Sequence, residues 1–166
     1  KYVVADFETA SRADLQKIGA WKYAADMSTF PLCLSIKVVT DNIPAPTRCL
    51  SEKQLHARDP ELMALAQDPA VIFIAHNAGF EQAMWKFHMV PMGYPELPPE
   101  RWHDTMAVAG MKALPLGLDA LVTALELPVK KDMDGHRLML TMCKPDRLGG
   151  WSQHNEFNLN RLYQYC

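Results

Sequence analysis

Apolar and polar positions alternate from Tyr2 to Glu8. Val3, Ala5 and Phe7 share one face, and Val4, Asp6 and Glu8 the other, which predicts a first strand. A polar, glycine-containing connection then runs through Gly19 and Asp26. Leu32 to Val39 reads as a second strand, ended by Asp41-Asn42 and two prolines, and Arg48 to Leu50 as a short third. Asp59-Pro60-Glu61 opens a helix that reaches about Ala66, with a capping Asp and Pro at the first helical position. The continuous apolar run Val71 to Ala75 predicts a strand covered on both faces. Gly79 to Met89 follows as a helix, with Phe80, Met84, Phe87 and Met89 near one side, and Trp102 to Asp104 as a short strand. Four later stretches have helical patterns: Thr105–Ala113, Leu118–Leu125, His136–Met142 and Glu156–Cys166. Early strands interleaved with helices make an α/β domain.

Composition narrows the function. A chain of 166 residues that is 49% hydrophobic suits one domain with a real core. A net charge of −2 excludes a binder that relies on bulk positive charge, but leaves room for a carboxylate-rich site acting on nucleic acid. Cys33, Cys49, Cys143 and Cys166 are widely spaced without a CxxC, which argues against a zinc cluster and a disulfide scaffold and favours reduced, buried thiols. Neither a membrane span nor a signal peptide is visible, so a cytoplasmic protein without a membrane partner is expected. The opening on Lys1 and the stop at Cys166, inside a helical pattern, suggest a piece of a longer chain.

Asp6-Phe7-Glu8 carries the first candidate chemistry. Period two puts both carboxylates on one face with Cα atoms about 6.5 Å apart, a spacing suited to paired divalent cations. Burying such a pair is costly unless something cationic neutralises it. Asp59-Pro60-Glu61 repeats the D-x-E pattern at a helix start, where it reads as a cap. In Ala75-His76-Asn77-Ala78-Gly79-Phe80-Glu81 a strand turns into a helix with an acid in its first turn. It reads either as ordinary capping or as a third carboxylate beside Asp6 and Glu8, at the strand ends where α/β sheets place their sites. The terminal Leu162-Tyr163-Gln164-Tyr165-Cys166 adds tyrosines to an amphipathic helix.

Together these segments resemble the DEDD 3′–5′ exonucleases of the RNase H-like fold. Asp6-Phe7-Glu8-Thr9 is similar to the first exonuclease motif and His76-Asn77-Ala78-Gly79-Phe80-Glu81 to the second. Tyr163-Gln164-Tyr165-Cys166 is similar to the start of the third, Tyr-x3-Asp. Several other segments resemble the exonuclease domain of phage-type family A DNA polymerases: Gly19-Ala20-Trp21-Lys22-Tyr23, Trp102-His103-Asp104-Thr105, Leu114-Pro115-Leu116-Gly117-Leu118, and Lys130-Lys131-Asp132 with Gly135 and Cys143-Lys144-Pro145. Two positions depart from the pattern. Glu81 stands where Asp is usual, and the final Asp would lie beyond Cys166, three residues on if Tyr165 is the motif tyrosine and one if Tyr163 is.

The resemblance implies a mixed central sheet of about five strands flanked by helices, in one exonuclease domain over residues 1–166, cut before the last motif Asp. It implies metal-dependent removal of nucleotides from a single-stranded DNA 3′ end, with a polymerase domain of the same parent chain as partner. Asp6, Glu8 and Glu81 would hold two Mg²⁺ or Mn²⁺ ions, hard cations suited to oxygen ligands. Tyr165 would orient the attacking water. Phe7, Thr9, His76, Asn77 and Phe80 are the candidates to contact the terminal nucleotides, for which Phe7 competes with a place in the core. Lys130, Lys131, His136 and Arg137 form a basic segment that either steers DNA or is a solvated loop. A free-standing RNA-processing or repair exonuclease and a catalytically silent nucleic-acid-binding module are the alternatives.

Overall fold

The computed structural model describes residues 1–128 and 132–166; Lys130 and Lys131 of the basic segment lie outside the described residues. Six strands, β1 (Tyr2–Ala10), β2 (Phe30–Thr40), β3 (Ile43–Pro44), β4 (Arg48–Ser51), β5 (Ile72–Ala75) and β6 (Trp102–Asp104), form one sheet. Its order is β3-β2-β1-β5-β6, with β4 also paired to β2. β2 runs antiparallel to β1, β3 and β4, whereas β5 is parallel to both β1 and β6. The helices are α1 (Leu15–Ala25), α2 (Glu52–His56), α3 (Pro60–Gln67), α4 (Ala78–Met84), α5 (Thr105–Met111), α6 (Leu118–Ala124), α7 (Met133–Met142) and α8 (Glu156–Tyr165). This mixed α/β sheet is consistent with the RNase H-like fold.

The alternation in β1 does what the sequence predicts. Val3, Ala5 and Phe7 are buried, while Val4 and Asp6 are exposed and Glu8 is half-buried. The apolar face joins Leu34, Ile36, Leu50 and Phe73 in the main core, against Leu62 and Leu65 of α3 and Met84 of α4. The opposite face carries the carboxylates and is partly closed by a second cluster, in which Met142 of α7 and Leu162 of α8 pack on Ala10, Leu32 and Cys33. The register shifts between Glu8 and Thr9: Glu8 pairs with Cys33 but Thr9 with Pro31, leaving Leu32 as an extra residue. Such a bulge bends the strand and re-aims the side chains beside it.

Two helices stand where the sequence suggested connections. The stretch through Gly19 and Asp26 is helical from Leu15 to Ala25, capped by Asp14, which accepts the Gln16 N–H at 3.1 Å. It is broken at Gly19, where φ is +76°, and that break interrupts the helical pattern. α2 is one short turn with a capping box between Ser51 and Gln54. The helix expected over 79–89 is α up to Met84 and a π-helical turn from Trp85 to Met89. The two-residue β3 adds a sixth strand to the five expected.

The outer edge is fixed by a buried cation. Arg101 is 8% exposed. It donates to the carbonyls of Val71 at 2.9 Å, Ala66 at 2.5 Å and Leu65 at 3.0 Å. Its guanidinium also lies 5.5 Å from the Phe73 ring centroid. One side chain thereby satisfies the carbonyls at the end of α3 and ties the approach of β6 to β5.

Candidate active site

Register places the carboxylates. β5 pairs Ile72, Phe73 and Ile74 with Tyr2, Val3 and Val4, and ends at Ala75. β1 continues to Ala10, so Asp6 and Glu8 project past the carboxyl end of their parallel neighbour. That crevice is where open α/β sheets put their chemistry. The chain leaves β5 through His76 and Asn77 and enters α4, whose first turn carries Glu81.

The turn is held by side chains. Asn77 adopts the left-handed conformation at φ +70°, makes no side-chain cap, and donates its backbone N–H to Asp104 Oδ1 at 3.0 Å. Asp104 also caps α5 through the Met106 N–H at 2.8 Å. His76 lies 3.0 Å from Thr105 Oγ1 through Nδ1 and 2.7 Å from the Leu116 carbonyl through Nε2. Both its ring nitrogens are thus engaged within the protein, which makes it a brace for the turn. In the sequence Asp104 ends a strand and belongs to the resembling segment Trp102-His103-Asp104-Thr105, and an Asp immediately before a helix is the signal of its capping role.

Glu81 is only 3% exposed, and its Oε2 has no hydrogen-bond partner. A carboxylate placed merely to favour a helix dipole stays in solvent, so capping does not account for it. Desolvation, then the charge of Asp6, pushes its pKa up to about 8, against the backbone N–H groups of Glu81 and Phe7. Desolvation and the Asp6 charge also push Glu8 up to about 8. Asp6 is open to solvent by accessible area, yet protein surrounds enough of its carboxyl for desolvation to raise its pKa as well. Among the described residues, no Lys, Arg or His comes within ion-pair distance of these three acids. The other D-x-E contrasts with them. Asp59 accepts the Leu62 N–H at 3.0 Å and pairs with Arg48 at 2.7 Å, and Arg48 also pairs with Glu61. One acidic pair is capped and neutralised; the other is left short of positive charge.

The donors suit hard cations. All three are carboxylates, one holds an orphaned buried oxygen, and desolvation and then the Asp6 charge push the pKa of Glu8 and Glu81 up, a penalty that a bound cation would offset. They do not form a single tight nest: among the described residues, the trio that brings its ligand atoms within 4.8 Å of one another is Cys33, Cys49 and Cys166.

An open cleft of about 480 Å³ faces this group, lined by Asp6, Phe7, Leu15, His76, Phe80 and Glu81 among others. A neighbouring cleft of about 360 Å³ shares Phe7, Leu15 and Phe80 and adds Glu8, Thr9, Tyr23 and Lys144. Phe7 is 4% exposed and belongs to the main core, so it shows the cleft little of its ring. Phe80 is half-buried, lines both clefts and packs 6.0 Å from Tyr23. Thr9 is buried, its Oγ1 3.0 Å from the Tyr23 hydroxyl. The two terminal tyrosines part company, as residues two apart on a helix must. Tyr165 lies within electrostatic reach of Glu8 and Asp6, and desolvation followed by those charges pushes its pKa up to about 12. Tyr163 is also pushed up to about 12, first by desolvation and then by Cys33 and Cys49. Gly135 makes room for Tyr165: a Cβ there would lie 2.6 Å from the tyrosine's Cγ. Of the basic segment, His136 and Arg137 lie in α7, where Arg137 pairs with Asp134 at 3.3 Å.

No family model matches the chain. It is similar to a DNA polymerase of Bacillus phage SP02, with 29% identity over 169 residues. The match covers 97% of this chain and 25% of that protein, so the chain spans about a quarter of the length of this relative. Among the described residues, no helix is long and apolar enough to cross a membrane.

Proposed function

We propose that the chain is a divalent-metal-dependent 3′–5′ exonuclease domain acting on single-stranded DNA ends, in the service of a DNA polymerase. The observation that carries this reading is the convergence of Asp6, Glu8 and Glu81, without a described basic partner, past the end of β5. The similarity of nearly the whole chain to part of a phage DNA polymerase supports the polymerase association. Asp6, Glu8 and Glu81 would hold the ions. When bound, Mg²⁺ or Mn²⁺ supplies a water of lowered pKa and charge compensation for the phosphoryl transition state.

The chain's own groups do the rest. Tyr165, with its pKa near 12, keeps its hydroxyl proton at neutral pH and presents an O–H within electrostatic reach of Glu8. It can therefore orient a water without itself becoming the base. Phe80 offers an aromatic edge in the cleft on which a base of any identity can stack. Asp104 and His76 fix the turn that delivers Glu81.

The test uses the chain lengthened by two linker residues and an Asp beyond Cys166, with single-stranded DNA and RNA oligonucleotides of one sequence, each labelled at the 5′ end. Mg²⁺-dependent stepwise shortening of the DNA from its 3′ end is expected. Shortening of the RNA alone would replace the substrate class, and no metal-dependent shortening of either would overturn the reading in favour of a silent binding module.

A further inference from the structure

Three of the four cysteines that the sequence spreads over 133 residues meet at one point. Cys33 lies on β2, Cys49 on β4, and Cys166 at the C-terminal end of α8. Their sulfurs all lie within 4.8 Å of one another, and Cys33 Sγ and Cys166 Sγ are 3.6 Å apart. The sequence-based expectation that the cysteines form no cluster is therefore corrected. Wide spacing hid a convergence made by strand pairing and the docking of α8.

Register shows how it is built. Asp6 pairs with Ser35 and Ser35 with Cys49; Glu8 pairs with Cys33 and Cys33 with Ser51. Directly paired residues share a face, so the thiols sit on the same face as the carboxylates, Cys33 one strand further out and Cys49 two. The thiols are free. A separation of 3.6 Å is far beyond a disulfide bond of about 2.05 Å. It is close to the edge of about 3.8 Å that two thiolates span across a tetrahedral ion at about 2.3 Å from each. Ser35, 7% exposed, lies on the same face as Cys49, and a cation held by three sulfurs keeps a fourth position for a water.

We propose that Cys33, Cys49 and Cys166 form a binding site for one thiophilic cation of the zinc type, separate from the hard-cation site of the carboxylates. Binding displaces the thiol protons to solvent and leaves the oxidation state of sulfur and metal unchanged. The site pins α8 to β2 and β4, and so fixes the helix that carries Tyr165.

The experiment is a Cd²⁺ titration of the phosphine-reduced chain in excess Mg²⁺, followed by sulfur-to-cadmium charge-transfer absorption. One equivalent of Cd²⁺ giving a band that Zn²⁺ displaces is expected. Cys49→Ser and Cys33→Ser should lose most of the band, with folding checked by circular dichroism. Cys49 is the safer of the two because it sits half-buried on a short outer strand. Cys143→Ser should retain the band, since that thiol lies elsewhere and donates to the Leu140 carbonyl. Asp6→Ala should also retain it, which separates this site from the proposed nuclease centre. Absence of the band in the parent chain, or its persistence in folded Cys49→Ser, would overturn the proposal.

Discussion

Replacing Glu81 with Gln is expected to make the metal-free protein more stable above pH 8 while removing most of its response to Mg²⁺. The ordinary carboxyl pKa of 4.5 rises to about 8 in the fold for both Glu81 and Glu8. Below about pH 4.5 both are protonated whether the chain is folded or not, and the fold suffers no penalty. As pH rises from 4.5 to about 8 the unfolded chain releases these protons and the fold does not, so stability falls across that window and levels off above it. Glu81→Gln removes one of the two groups. Its urea midpoint should exceed the parent's at pH 8.5 by the equivalent of about 3–5 kcal/mol, and the two should converge near pH 4. Mg²⁺ or Mn²⁺ should raise the parent's midpoint at pH 8.5 and leave that of the variant nearly unmoved. A variant less stable than the parent at pH 8.5 would show that this carboxylate is not a repelled, uncompensated acid.

Gly135→Ala is expected to cost about 10²-fold in the proposed hydrolysis, through displacement of Tyr165. The new Cβ would come 2.6 Å from Tyr165 Cγ and 2.8 Å from Asp132 Oδ2, and closer still to the tyrosine's Cδ2. Cγ is the root of the ring, so rotation about χ2 does not clear it, and either a change of χ1 or a shift of α8 must carry the ring away. Overpacking of this kind costs about 1–3 kcal/mol of stability. Tyr165→Phe separates the two effects. It keeps the ring against Gly135 and removes the hydroxyl, so it should reproduce the loss of rate with little loss of stability. Full activity in both variants would remove Tyr165 from the site.

The parts of the fold that were legible are those set by local periodicity. β1 shows its alternation because one face meets the core and the other a polar site. α3 announces itself through Asp59 and Pro60. α1 was obscured because Gly19 at φ +76° splits it into pieces too short to show a face. α2 is a single turn, although its Ser51–Gln54 capping box was there to be read. The three candidate carboxylates stand in the sequence as an ordered pattern. What was not legible depends on register and docking. The pairing of Asp6 with Ser35 and of Ser35 with Cys49, the meeting of three distant thiols, and the space left by Gly135 follow from how β4, α7 and α8 meet the sheet. No spacing within one segment encodes them. Phe7 illustrates the same limit. Its strand position marked it as core, its motif marked it as a base contact, and the fold buries it.

The central claim is that Asp6, Glu8 and Glu81 hold hard divalent cations. Calorimetric titration of Mn²⁺ into the parent chain and into Asp6→Ala tests it most directly, since the charge of Asp6 acts on both other acids. Saturable Mn²⁺ binding by the parent that Asp6→Ala abolishes or sharply weakens is the predicted result. Equal binding by the two, or no binding by the parent, would contradict the account.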